Sequence, residues 1–255
     1  MAYNNVTVHA GHTRGGGARG SGFEESAVAR QFVPSLLDAF ARVAQKTVNC
    51  TDDVSTTQSA NLARLVALCN AVNKDGRLDI SLHFNSSDDP SSTGVEVLYY
   101  DQRDLAAKVS AAIAKASGLR DRGPKERKDL AVLNGTNAPA ILIELAFISN
   151  ASDMKKFFDN MQAIANAIVQ AVTGITVSGG GGSQAENKQG IIVTGAFSPH
   201  EIPDTIGALL SVKMTGKFQV EPSGLVYLIT DPTSEQQFNG MKGWVERKGW
   251  YHEVK

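Results

Sequence analysis

Ala138-Pro-Ala-Ile-Leu-Ile-Glu-Leu-Ala-Phe-Ile-Ser-Asn150 is the stretch from which the rest of the chain can be read. Ala140–Phe147 is an almost unbroken apolar run of one strand's length, and such runs belong to strands covered on both faces. Helical spacing follows over Ala151–Val172. Toward the N-terminus the alternation recurs. Asn5–Ala10 reads as a strand. Phe23–Gln45 reads as a helix interrupted by Pro34, with Phe32, Val33, Leu36, Leu37, Phe40 and Val43 along one face. Gln58–Val72 reads as a helix, Leu78–Asn85 and Gly94–Tyr100 as strands, and Leu105–Ala116 as a helix. Strands alternating with helices predict an α/β domain of three layers around a mostly parallel sheet. Functional residues then belong at the carboxyl ends of the strands and in the loops beyond them.

Toward the C-terminus the pattern stops at Val177-Ser-Gly-Gly-Gly-Gly-Ser183-Gln-Ala-Glu-Asn-Lys-Gln189, which has the composition of a flexible coil. Beyond it Gly190–Phe197 reads as a strand and Ser198–Thr215 as a helix, with Ser198 at the N-cap and Pro199 at the first helical position. Phe218–Thr230 reads as two strands turned at Pro222-Ser-Gly224, Ser234–Lys248 as a helix and Trp250–Val254 as a strand. The expected organisation is therefore a domain over 1–176, a linker over 177–189 and a small α+β domain of β-α-β-β-α-β order over 190–255.

Composition narrows the functional classes. The 255 residues include 25 Lys and Arg against 26 Asp and Glu, a net charge of −1, so no basic field gathers nucleic acid or an anionic membrane. No apolar run approaches the roughly 18 residues that span a bilayer, and Met1-Ala-Tyr-Asn-Asn5 has neither a basic nor an apolar leader region. Cys50 and Cys69 are too few for a disulfide framework or a cysteine zinc site, and their apolar neighbours Val48 and Leu68 suggest buried thiols.

Four places carry chemistry. In the first, Val6-Thr-Val-His-Ala-Gly-His12 runs into the loop Thr13–Gly22, whose glycines do not make the G-x-G-x-x-G turn of a dinucleotide site. His12, at a strand end beside small residues, is placed to ligate a metal, although a satisfied loop histidine fits the same pattern. In the second, Glu24 and Glu25 open a helix, where acidic residues are favoured by the dipole alone. Glu25 is in phase with the apolar stripe of Val28, Ala29, Phe32 and Val33 and so points toward the sheet; Glu24 is the alternative. In the third, His83 ends an apolar strand and is either a strand-end functional residue or a core histidine. In the fourth, Glu144 is a carboxylate inside an apolar strand, costly unless paired, liganded or functional, and burial raises its proton affinity toward that of a useful base.

In this order the pieces resemble the zinc-dependent N-acetylmuramoyl-L-alanine amidases of the amidase 3 family, especially the catalytic domains of bacteriophage endolysins. The resemblance rests on Gly11-His12, the acidic start of the first helix, Ser81-Leu-His83-Phe-Asn85, Arg122-Gly-Pro-Lys125 with Leu130-Ala-Val-Leu133, and Pro139–Asn150, and it spans residues 5–174. It implies a single catalytic Zn2+ held by His12, Glu25 and His83, Glu144 as the catalytic carboxylate, and Asn85 and Arg122 as substrate contacts. The reaction implied is hydrolysis of the amide between N-acetylmuramic acid and L-alanine in the peptidoglycan of a Gram-positive host. The chain departs from the family's Glu-x-Gly-Phe, with Ala146 in place of glycine, and from its Gly-His-Gly-Gly, with Thr13 and Arg14 after the histidine. The Gly-rich joint and small second domain resemble the layout of endolysins whose second module holds a cell-wall polymer. Phe197, Tyr227, Trp244, Trp250 and Tyr251 are its candidates for stacking on sugars or for its core. Host cytoplasm until a holin opens the membrane is the location this layout implies. Two other functions remain open: a non-catalytic wall-binding protein on an amidase scaffold, and a zinc peptidase acting on stem peptides.

Overall fold

The computed structural model describes residues 3–177, 191–231 and 235–254, and the chain divides into two compact units, Met1–Gly182 and Ser183–Lys255. Most of the expected linker, Ser178–Gln189, lies outside the described residues. Val177, assigned to the linker by its sequence neighbours, is buried and packs in the core of the first unit.

The first unit contains β1 (Asn5–Ala10), the short pair β2 (Arg19–Gly20) and β3 (Phe23–Glu24), α1 (Glu25–Ala41), β4 (Thr47–Asn49) and α2 (Gln58–Asn70). After these come β5 (Arg77–Asn85), β6 (Val95–Tyr99), α3 (Arg103–Ser117), β7 (Asp121–Glu126), α4 (Ala131–Asn134), β8 (Ala140–Phe147), α5 (Ala151–Asp159) and α6 (Met161–Thr173). The main sheet runs β4-β1-β5-β8-β6-β7. Its neighbours are parallel except β6, which lies antiparallel to β8.

Strand alternation sorts the side chains into two unequal layers. Val6, Val8, Ala10, Leu78, Ile80, Leu82, Ile141, Ile143 and Leu145 face the large core under α1, α3, α5 and α6. The opposite face carries Thr7, His9, Asp79, Ser81, His83, Ala140, Leu142 and Glu144, covered in part by the smaller apolar cluster of Leu65, Leu98, Val132 and Leu133 from α2, β6 and α4. Arg77 is wholly buried there. It pairs with Asp79 at 2.8 Å and donates to Asn70, Asn137 and the carbonyl of Val72. A thinner cover on this face leaves room for a cleft at the carboxyl ends of β1, β5 and β8.

Three local expectations are revised. Pro34 does not interrupt α1, which runs through it: one backbone bond is lost, while Phe32, Val33, Leu36 and Phe40 stay buried on one stripe. The last helix divides into α5 and α6 at Asn160. The strands β4 and β7 also went unread. Thr47–Asn49 is only three residues long, and Asp121–Glu126 contains Gly123 and Pro124 with charged neighbours, features that read as a turn. Both cysteines are buried and free.

The second unit has the expected order: β9 (Ile192–Thr194), a 3-10 turn at Pro199–Glu201, α7 (Ile202–Ser211), β10 (Gly216–Val220), β11 (Val226–Thr230), α8 (Glu235–Arg247) and β12 (His252–Val254). Ser198 caps its turn by accepting from the amide of His200, with Pro199 next to it. The antiparallel sheet β10-β11-β9-β12 packs Ile192, Val226 and Leu228 against Ala208, Leu209, Met241 and Val245 of both helices.

Candidate metal centre and active-site cleft

At the end of β1 the chain turns out of the sheet, and Gly11 keeps one ladder bond, its amide to the carbonyl of Leu82 at 2.9 Å. His12 then takes a left-handed backbone with φ 63°, uncommon for a residue with a side chain. Its ring is thereby brought toward α1 and β5. Glu25, the first residue of α1, is 4% exposed; His83 comes from the carboxyl end of β5, beside a register shift between His83 and Asn85 against β8. Such irregularities re-aim side chains at strand ends.

Among the described residues these three side chains form the cluster whose donor atoms all lie within 4.8 Å of one another. Glu25 Oε1 lies 2.9 Å from His12 Nε2 and 3.0 Å from His83 Nδ1, and the two ring nitrogens are 3.2 Å apart. A tetrahedral ion with ligand bonds of about 2.0–2.1 Å needs donor atoms spaced by about 3.3 Å, so this mixed nitrogen and oxygen set fits a zinc-like cation with small adjustments. Glu25 also accepts from the amides of Phe84 at 3.1 Å and Ala18 at 2.8 Å, which aim the carboxylate. Burial alone would raise its pKa, but the hydrogen bonds and charges of His12 and His83 outweigh that and hold it far below the ordinary carboxylate range. Glu24 is engaged elsewhere: it accepts from Ser26 and pairs with Arg19, both at 2.6 Å.

Two glycines make the approach possible. A Cβ on Gly11 would stand 2.1 Å from His83 Cε1, and one on Gly17, whose φ is 80°, would stand 2.7 Å from Glu25 Oε2 and 2.9 Å from the His12 ring. The glycine-rich loop therefore serves close packing around the cluster, with no phosphate-cradling turn required.

The cleft has a volume of about 450 Å³ and is lined by Gly11, His12, Glu25, His83, Asn85 and Glu144, with an apolar wall from Leu62, Leu65, Leu98, Leu130 and Leu142. Glu144 projects from β8 on this face, and its Oε2 is buried with no hydrogen-bond partner among the described residues. Burial first, then the negative charges of Glu25 and Glu96, push its pKa up to about 8. Ala146, where the family has glycine, sits in regular strand without a positive φ. Asn85 lines the cleft and donates to Glu96 at 2.8 Å, while Arg122 donates to the other oxygen of Glu96 at 2.7 Å and lies over the Phe147 ring, outside the cleft lining.

Sequence reasoning missed Glu96, whose strand neighbour across the antiparallel pair is Glu144. Nothing in the sequence predicted that β6 would run against β8. It also missed Arg127, which lines the cleft in a bidentate pair with Asp129 at 2.7 Å. In the second unit Phe197, Trp244 and Trp250 stack in or against the core, Tyr227 is half-buried, and Tyr251 is 70% exposed.

Parts of this chain are similar to known proteins. Residues 211–254 match the PlyG cell wall binding domain. The probable cell wall amidase LytH of Staphylococcus epidermidis is 34% identical over 104 residues, covering 39% of this chain and 35% of that protein. The N-acetylmuramoyl-L-alanine amidase LytC of Bacillus subtilis is 36% identical over 93 residues, 34% of this chain and 18% of LytC. The chain thus spans about a third or less of the length of these relatives. Among solved structures, the catalytic domain of the CD27L endolysin targeting Clostridium difficile superposes with a TM-score of 0.60 at 26% identity, over 69% of this chain and all of that one. An N-acetylmuramoyl-L-alanine amidase from Clostridium difficile 630 superposes with a TM-score of 0.56 at 28% identity, over 70% and 99% of the two chains. Since the segment that matches the N-acetylmuramoyl-L-alanine amidase family, residues 6–174, is also the one that supplies the histidines, the carboxylates and the sheet that aims them, this chain belongs to that family.

Proposed function

We propose that the first unit hydrolyses the amide between N-acetylmuramic acid and L-alanine in peptidoglycan, with zinc in the His12–Glu25–His83 cluster, and that the second unit holds the enzyme on the wall of a Gram-positive host that it lyses. The observation that carries this reading is the convergence of three ligand atoms beside a buried, unpartnered carboxylate oxygen of Glu144 in one cleft. Three protein ligands leave a coordination position open, as catalytic sites require and closed structural sites do not. Bound there, zinc would supply Lewis acidity to the amide carbonyl and lower a water's pKa toward about 7.

The chain's own groups do the rest. Glu144 takes the proton of the attacking water and returns it to the leaving amine of L-alanine. Its raised pKa holds a proton on the carboxyl beside the charges of Glu25 and Glu96, and a cation bound at the cluster would lower it, so that the ionised fraction able to accept a proton rises with ion loading. The apolar wall of Leu62, Leu65 and Leu130 suits the methyl groups of the lactyl and alanyl moieties, while Asn85 is the polar contact beside them. Arg122 supports the site through Glu96. The match of residues 211–254 to a wall-binding domain supports attachment, and the exposed Tyr251 offers a ring to a sugar face. Tethering raises the effective concentration of the enzyme at an insoluble polymer. We further propose a phage origin and release from the host cytoplasm at lysis, on the likeness to the CD27L endolysin.

Mass spectrometry of digested peptidoglycan, with and without chelator, tests the reading. It expects intact stem peptides with free L-alanine amino termini, lost on chelation. New termini inside the peptide would mean a peptidase, absence of products a binding protein, and undiminished cleavage without metal would overturn the zinc assignment.

A further inference from the structure

Arg30 lies on α1, five residues past Glu25, and is 12% exposed. Every one of its N–H groups has an acceptor. Nη2 donates to the carbonyls of His12 at 2.9 Å and Asp52 at 2.8 Å, Nη1 to those of Ser26 at 3.1 Å and Gly11 at 3.4 Å, and Nε to Asp53 Oδ1 at 2.8 Å. Asp53 also takes Arg14 at 3.2 Å, and Asp52 fixes Asn61 of α2 at 2.9 Å. The two carbonyls of Gly11 and His12 leave the β-ladder where His12 enters its left-handed conformation, so they need donors from elsewhere. Arg30 supplies them from the helix that carries Glu25.

We infer that Arg30 is a positioning residue for the metal centre: its guanidinium ties the strained His12 turn to α1 and to the Asp52–Asp53 loop, so that the His12 ring stays within reach of Glu25 and His83. The inference rests on the metal-centre reading above. Only a planar fork with five donors serves four carbonyls and a carboxylate together; an ammonium has three. Residues that orient ligands in this way are typically worth about 10–100-fold in metal affinity.

The test uses the full chain, with Zn2+ affinity measured by chelator competition and the visible spectrum of the Co2+-loaded protein as the reporter of ligand geometry. Arg30→Lys is expected to weaken Zn2+ at least tenfold and to change the Co2+ spectrum while retaining the far-UV circular dichroism of the fold. Asp53→Ala, at a half-exposed carboxylate, removes the Nε anchor and is expected to weaken Zn2+ about threefold. Wild-type affinity and spectrum in Arg30→Lys would overturn the proposal. Should that variant fail to fold, unchanged Zn2+ affinity in Asp53→Ala overturns it in its place. Failure of the wild-type chain to bind Zn2+ or Co2+ at the cluster would instead overturn the metal-centre reading itself.

Discussion

Glu144 shows what one residue's surroundings can decide. Its carboxyl is pushed up to about 8 by burial and by the charges of Glu25 and Glu96. An acid whose folded pKa exceeds its unfolded value stabilises the fold while protonated, and this contribution is lost as the pH rises from about 4.5 toward 8. Metal-free Glu144→Gln is therefore expected to match the wild type in melting temperature near pH 4 and to exceed it by several degrees at pH 8, measured by calorimetry. In the metal-loaded enzyme the same substitution should retain zinc and reduce turnover by roughly 100- to 10,000-fold, the range for a lost general base. Retained turnover would remove Glu144 from the reaction. At this scale the sequence was largely legible. An acid in an apolar strand and two histidines at strand ends carry their own cost or position, and the phase of the apolar stripe on α1 favoured Glu25 while leaving Glu24 open until the fold brought Glu25 to the histidines. Arg30 and Glu96 carry no such mark, because each resembles a solvated charge until the fold puts carbonyls or a second carboxylate beside it.

Between residues and the molecule stand the turn after β1 and the strand β6. The turn works because Gly11 and Gly17 lack side chains: Gly11→Ala is expected to displace the His83 ring and to reduce activity on the order of 100-fold, the scale of a 1 Å misplacement, with little change in far-UV circular dichroism. Wild-type activity in that variant would show that the ring has room the structure does not give it. Helix types followed from period 3.6 spacing and strand types from short apolar runs, and Ala140–Phe147 coincides with β8. The direction of β6 did not follow, since pairing partners far apart in sequence are chosen by packing and leave no local trace. The continuity of α1 through Pro34 has the same origin: tertiary burial of the stripe outweighs one missing backbone bond.

Across the whole molecule the charge is nearly balanced, with 25 basic and 26 acidic residues, so long-range attraction to an anionic wall is weak. The second unit has its own core of Ile192, Val226, Leu228, Met241 and Val245, which permits its study in isolation. Its binding to purified cell walls is expected to persist from low to physiological salt and to fall with Tyr251→Ala, as measured by co-sedimentation. A steep loss with salt would point to nonspecific charge in place of sugar contacts. One trait of the main sheet bears on how copies of the chain meet one another. Its outer strands are poor templates for another chain: β4 is three residues long, and β7 interrupts its donors with Pro124 between Arg122 and Lys125. Protected sheet borders of this kind oppose edge-to-edge pairing, so copies of this domain can meet at high local concentration without joining strand to strand.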